Sequence, residues 1–244
     1  MLYFLASEYR LIMSKISTNL QAVRSRIDLT ARQYGRNPRD IALLAVSKTW
    51  PARYVREAAA VGQRAFGENY VQEAVDKIAE LSDLGDLRLE WHFIGPLQSN
   101  KTRLVAEHFD WVHSVDRLKI AERLAEQRPA FLPPLSICLQ VNISGEAAKS
   151  GVRPEDTSAV AHAMAGLPCL RLRGLMTIPA PEDDLEAQRR PFRRLVELYE
   201  QLRAEGLVLD TLSMGMSHDM EAAIAEGATL LRVGSAIFGE RNYA

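Results

Sequence analysis

Short apolar runs alternate with longer stretches of helical spacing from about residue 41 almost to the end of the chain. The runs begin with IALLAVS at Ile41, RAFGEN at Arg64, LEWHFIG at Leu89 and DWVHSV at Asp110. They continue with LSICLQVNIS at Leu135, LRLRGLMTI at Leu170, LDTLSMGMS at Leu209 and TLLRVGS at Thr229. Each reads as a buried strand. Between them, segments such as ARYVREAAAVG, VQEAVDKIAEL, RLKIAERLAEQ and LEAQRRPFRRLVELYEQLRAEG repeat apolar positions three and four apart, which predicts helices. Another helix is predicted ahead of the first strand, over residues 16–34. Gly or Pro marks most junctions, as helix stops and turns require.

Alternating strands and helices imply a parallel sheet joined by crossover helices. Eight such units in roughly 250 residues match a (β/α)8 barrel. A doubly wound open sheet usually stops at five or six strands, and no GxGxxG follows the first one here. No linker-like change of composition interrupts the chain. The expected fold is therefore α/β, a single (β/α)8 TIM barrel with an extra N-terminal helix, over residues 16–244. Residues 1–15 are expected to be an extension of little structural weight, with Met13 a second plausible start. Its apolar opening is interrupted by Glu8 and Arg10 and lacks a basic n-region, so it suits neither a membrane span nor a signal peptide.

Composition narrows the class. Of the 244 residues 25% are charged, yet the formal net charge is only −1, with Lys and Arg scattered among Glu and Asp. That distribution leaves no electrostatic footprint for nucleic acid. Cys138 and Cys169 lack a CxxC spacing and read as small buried hydrophobes in a reducing compartment. The five histidines form no HExxH or cysteine-paired cluster, so no metal site is expected. A cytoplasmic location follows from these readings.

In a barrel the C-terminal strand ends carry the chemistry. Lys48 falls at the end of the first strand, Asn69 after the second, and His92 and Gly95 at the third. Asn142, Ser144, Met176 and Thr177 close the fifth and sixth. Ser213, Gly215 and Ser217 close the seventh, and Arg232, Gly234 and Ser235 the eighth. All are expected to face one mouth. SMGMSHDMEAA and VGSAIFG place small residues and hydroxyls where a barrel often holds a phosphate. Helix capping by Ser217 and Asp219 is the competing explanation. A lysine across the mouth from a phosphate suits an aldehyde, which an uncharged amine attacks. Arg232 could hold a ring nitrogen unprotonated or, alternatively, form a surface pair with a residue such as Glu226.

AVSKTWP, FGENYVQE, WHFIGPLQSNK, QVNISGEAAKSG, GLMTI, SMGMSHDMEAAI and LRVGSAIFGER occur in that order. Together they resemble the pyridoxal 5′-phosphate homeostasis protein family, from about Leu43 to the C-terminus. That family is similar in fold to the N-terminal barrel of alanine racemase. The resemblance implies that Lys48 is the Schiff-base lysine and that Ser213, Met214, Ser217, Gly234 and Ser235 surround the cofactor phosphate. It also implies that Arg232 faces the pyridine nitrogen and that Asn69 lies beside the ring or its 3-hydroxyl.

The expected role is to carry or buffer pyridoxal 5′-phosphate as a monomer, with pyridoxal-phosphate-dependent apo-enzymes as acceptors and no catalytic residues. In the racemases a second domain supplies a tyrosine base, and no length is left here for one after the eighth strand. Tyr70 and Tyr243 are the tyrosines to weigh in its place, Tyr70 more simply packing on the helix after strand two. A racemase of low activity is one alternative, and an aldolase-like use of Lys48 on another phosphorylated carbonyl compound a second. Lys149 is a further candidate for transient cofactor binding.

Overall fold

The computed structural model describes residues 15–146 and 150–240. Eight parallel strands close into a barrel in sequence order: β1 (Ala42–Val46), β2 (Ala65–Glu68), β3 (Glu90–Phe93), β4 (Trp111–Val115), β5 (Leu135–Gln140), β6 (Leu170–Met176), β7 (Thr211–Ser213) and β8 (Leu230–Val233). Every predicted apolar run contains one of them. The ring is completed by β1 pairing with β8, with Leu44 opposite Arg232.

Helices α1 (Lys15–Gln33), α2 (Ala52–Ala60), α3 (Val71–Glu80), α4 (Thr102–His108) and α5 (Leu118–Gln127) alternate with the first strands. They are followed by α6 (Thr157–Ala165), α7 (Leu185–Ala204), α8 (Met220–Ala225) and α9 (Ser235–Phe238). The extra helix α1 buries Ile16, Leu20, Val23 and Ile27 against the main core and packs on α2, α8 and α9. It therefore stands outside the β8–β1 seam. Arg26 pairs there with Glu221 and Asn19 Nδ2 donates to the Ile237 carbonyl at 2.8 Å.

RRPFRR in α7 buries Phe192, while Arg189 and Arg193 pair with Glu226. Cys138 is buried as expected, but Cys169 is exposed. Cys169 occupies a tight turn ahead of β6 at φ +59, which leaves its side chain outside the packed layers.

Candidate functional site

A cavity of about 480 Å3 opens at the C-terminal mouth between the ends of β1, β2, β7 and β8. Lys48, Asn69, Ser217, Arg232, Gly234 and Ser235 line it, so six of the eight expected ligands converge from four strand ends. Val46, Trp50, Ile94, Ile178 and Met216 supply apolar walls. His218 and Glu240 add polar groups at its edge. These residues lie within the same sequence motifs as the polar groups, next to them along the chain.

Ser213 and Met214 lie outside the lining. Met214 is buried in the main core and commits its backbone N–H to the Leu230 carbonyl at 3.2 Å. Ser213 is buried beside Arg232, as the last residue of β7. A strand residue projects into the barrel interior, whereas the walls of the mouth come mostly from the loops just beyond.

Arg232 is 4% exposed, which excludes the surface pair with Glu226. Its Nη1 donates to Ser213 Oγ at 2.7 Å and its Nη2 to the Thr177 carbonyl at 2.8 Å. Burial lowers its pKa to about 10, so it remains a cation at neutral pH. A guanidinium can only donate, so Ser213 Oγ accepts from Arg232, and the same oxygen is hydrogen-bonded to His113 Nδ1 at 2.7 Å. His113 Nε2 is in turn hydrogen-bonded to His92 Nδ1 at 2.9 Å. His92 Nε2 faces Glu90 at 3.6 Å. Burial, reinforced by His92 and Arg232, holds the His113 pKa well below the ordinary imidazole value.

His92 thus belongs to the barrel interior and not to the mouth. Asn142 and Ser144 also lie outside the cavity lining. Asn142 accepts from the Gly145 N–H at 3.1 Å and donates to the Glu146 carbonyl at 2.8 Å, while Ser144 Oγ accepts from the Ala180 N–H. Tyr70 is 54% exposed instead of packed on α3. Tyr243 and Lys149 lie outside the described residues.

Asn69 is held by close backbone approach. A Cβ on Gly95 would come within 2.3 Å of the Asn69 carbonyl oxygen, so only glycine fits there. The Asn69 side-chain oxygen is buried without a hydrogen-bond partner among the described residues. A buried acceptor of this kind suits a ligand hydroxyl.

The loops after β7 and β8 join one another. The Ala236 N–H donates to Ser217 Oγ at 3.4 Å and the Met216 N–H to Asp219 Oδ1 at 2.6 Å. Gly215 turns the first loop at φ +91, where a Cβ would collide with Ala223 at 2.5 Å. From outside the barrel, Arg26 of α1 reaches the Ser217 carbonyl at 3.4 Å. Small residues and hydroxyls from two loops are therefore brought beside a fixed arginine.

A closed barrel of eight parallel strands, with a lysine after the first strand and an arginine on the last lining its mouth, defines the class to which the alanine racemase N-terminal domain belongs. Residues 18–242 match the family model described as the alanine racemase N-terminal domain. The chain is 62% identical over 231 residues to the pyridoxal phosphate homeostasis protein of Pseudomonas aeruginosa, covering 95% of this chain and 98% of the relative. It is 56% identical to the protein of that name from Escherichia coli, covering 95% and 99%. The chain belongs to the pyridoxal phosphate homeostasis protein family. PipY of Synechococcus elongatus, solved with pyridoxal phosphate bound, superimposes with a TM-score of 0.80 at 40% identity, covering 92% of this chain and 100% of PipY. The alanine racemase of Corynebacterium glutamicum shares the fold at 18% identity and a TM-score of 0.66, this chain spanning 62% of its length.

Proposed function

We propose that the protein binds pyridoxal 5′-phosphate through Lys48 and holds or delivers it, without turnover of its own, as part of intracellular vitamin B6 homeostasis. The observation that carries this reading is the convergence of Lys48, Asn69, Ser217, Arg232, Gly234 and Ser235 on one cavity. The cofactor supplies an aldehyde carbon with which a lysine amine condenses to a Schiff base, releasing one water.

Every other role falls to this chain. Lys48 supplies the amine. Ser217, Gly234 and Ser235 hold the phosphate. Arg232 presents a guanidinium N–H to the ring nitrogen and, being a poor proton donor, leaves that nitrogen unprotonated. The unpartnered Asn69 oxygen accepts from the 3-hydroxyl. Ser213 acts on the phosphate site only indirectly, because its hydroxyl accepts from Arg232 and is hydrogen-bonded to His113. Met214 contributes packing beneath the loop. The names of the relatives, homeostasis proteins and not racemases, favour a carrier. The acceptors on this reading are pyridoxal-phosphate-dependent apo-enzymes, and the carrier is a monomer.

The test is the visible spectrum of the protein loaded with pyridoxal phosphate, beside Lys48→Ala, before and after borohydride. A yellow band that borohydride fixes to Lys48, and that Lys48→Ala does not retain covalently, is expected. A colourless protein that takes up no added cofactor would overturn the reading. Exchange of amino-acid α-protons in heavy water at a rate characteristic of an enzyme would replace the carrier with a racemase.

A further inference from the structure

A second charged cluster lies directly behind the Lys48 turn. Lys77 of α3 is a buried lysine, with its side chain 4% exposed. Its ammonium reaches three oxygens: the Ser47 carbonyl at 2.9 Å, Glu68 Oε1 at 2.6 Å and Glu73 Oε1 at 3.0 Å. Each carboxylate also holds one neighbour of Lys48. Glu68 Oε1 accepts from Ser47 Oγ at 2.6 Å, and Glu73 Oε1 accepts from the Thr49 N–H at 2.6 Å. The Ser47 carbonyl further accepts from the Trp50 N–H at 3.0 Å, closing a turn around Lys48 and Thr49.

Thr49 sits in that turn at φ +68. Left-handed backbone is a genuine outlier for a β-branched residue and persists only when its surroundings over-determine it. Here the restraint is visible: Ser47 is held at both its carbonyl and its hydroxyl, and Thr49 at its amide. Glu68 in turn precedes Asn69, so the same ammonium touches the supports of two cavity residues.

Stability alone does not account for the cluster. Replacing a buried ion pair by apolar side chains of similar volume is often neutral or stabilising, so burying Lys77 is a poor way to strengthen a barrel. What the ammonium does provide is a single point to which β1, β2 and the first turn of α3 are all tied.

We propose that Lys77 is a positioning residue for Lys48, fixing the 47–49 turn through Glu68 and Glu73 so that the Lys48 amine is presented to the cavity. This rests on the reading of Lys48 as the anchoring amine. Lys77→Met keeps the aliphatic stem and removes the three ties. Glu73, at the surface end of the cluster, offers a milder second change in Glu73→Ala.

Two measurements test the proposal. The first uses the protein without cofactor: trinitrobenzenesulfonate labelling of Lys48, followed by peptide mass across a pH series. The second is the affinity for pyridoxal phosphate read from absorbance. In Lys77→Met the pH at which Lys48 becomes reactive is expected to move, and affinity to fall about tenfold or more, as misplacement of a reacting group does. The melting temperature without cofactor is expected to fall by roughly 6–20 °C, because removing one partner leaves Glu68 buried without its cation. Glu73→Ala is expected to shift both readings in the same direction by less.

A folded Lys77→Met with unchanged labelling and unchanged affinity would overturn the proposal. Should that variant fail to fold, unchanged readings in Glu73→Ala would overturn it equally. A parent protein that takes up no pyridoxal phosphate would sink the proposed function, while the labelling series would still decide the role of Lys77.

Discussion

At Ser213, one oxygen atom satisfies both a guanidinium N–H and an imidazole nitrogen inside the barrel. Ser213→Ala leaves both without that partner, and a buried unsatisfied group costs about 1–3 kcal/mol. The urea midpoint should fall accordingly. His113 makes a separate prediction about pH. Its folded pKa lies well below 6.5, so as pH drops through 6.5 the unfolded chain takes up a proton that the folded chain refuses. Stability is thus fully present above 6.5 and is lost from there down to the depressed folded value. His113→Gln should be less stable at neutral pH, and its urea midpoint should change less between pH 6.5 and about 5 than that of the parent. At this scale the sequence was only partly legible. Lys48, Asn69 and Arg232 announced themselves as polar groups at strand ends. The chain from Arg232 to His92 did not, because it depends on register between strands 100 residues apart at its longest link. Lys77 was hidden for a different reason: its helix looks amphipathic, and nothing local says that the charged residue turns inward.

Elements were far easier to read than contacts. All eight strands fall inside apolar runs, because a parallel strand buried on both faces needs side chains that lose nothing by leaving water. What the runs could not give was depth. Ser213 ends β7 and lies behind the pocket, whereas Ser217, four residues on in the following loop, stands in its wall. Close contact between strands is equally silent in the sequence. A Cβ on Gly174 of β6 would come within 1.7 Å of the Thr211 carbonyl oxygen on β7. Gly174→Ala should therefore force these strands apart and cost about 3 kcal/mol or more, at the upper end of overpacking effects. Thermal unfolding would show the loss, together with weaker cofactor uptake, because β7 carries Ser213.

For the molecule as a whole, binding and folding are linked. Pyridoxal phosphate at a hundred times its dissociation constant should add about 2.7 kcal/mol of stability. For a barrel of this size that corresponds to a rise in melting temperature of roughly 5–10 °C. Calorimetry with and without the cofactor checks the rise, which should largely vanish in Lys48→Ala. Light scattering across a dilution series should give a single chain mass. The closure of β8 on β1 has one more consequence. Lys48 and Arg232 come from opposite ends of the barrel sequence and meet only when that seam zips, braced from outside by α1. During synthesis the ribosome releases the amine early and the arginine nearly last. A nascent chain would therefore carry half a receptor for most of its production, and vitamin capture would certify that translation had run through the final strand.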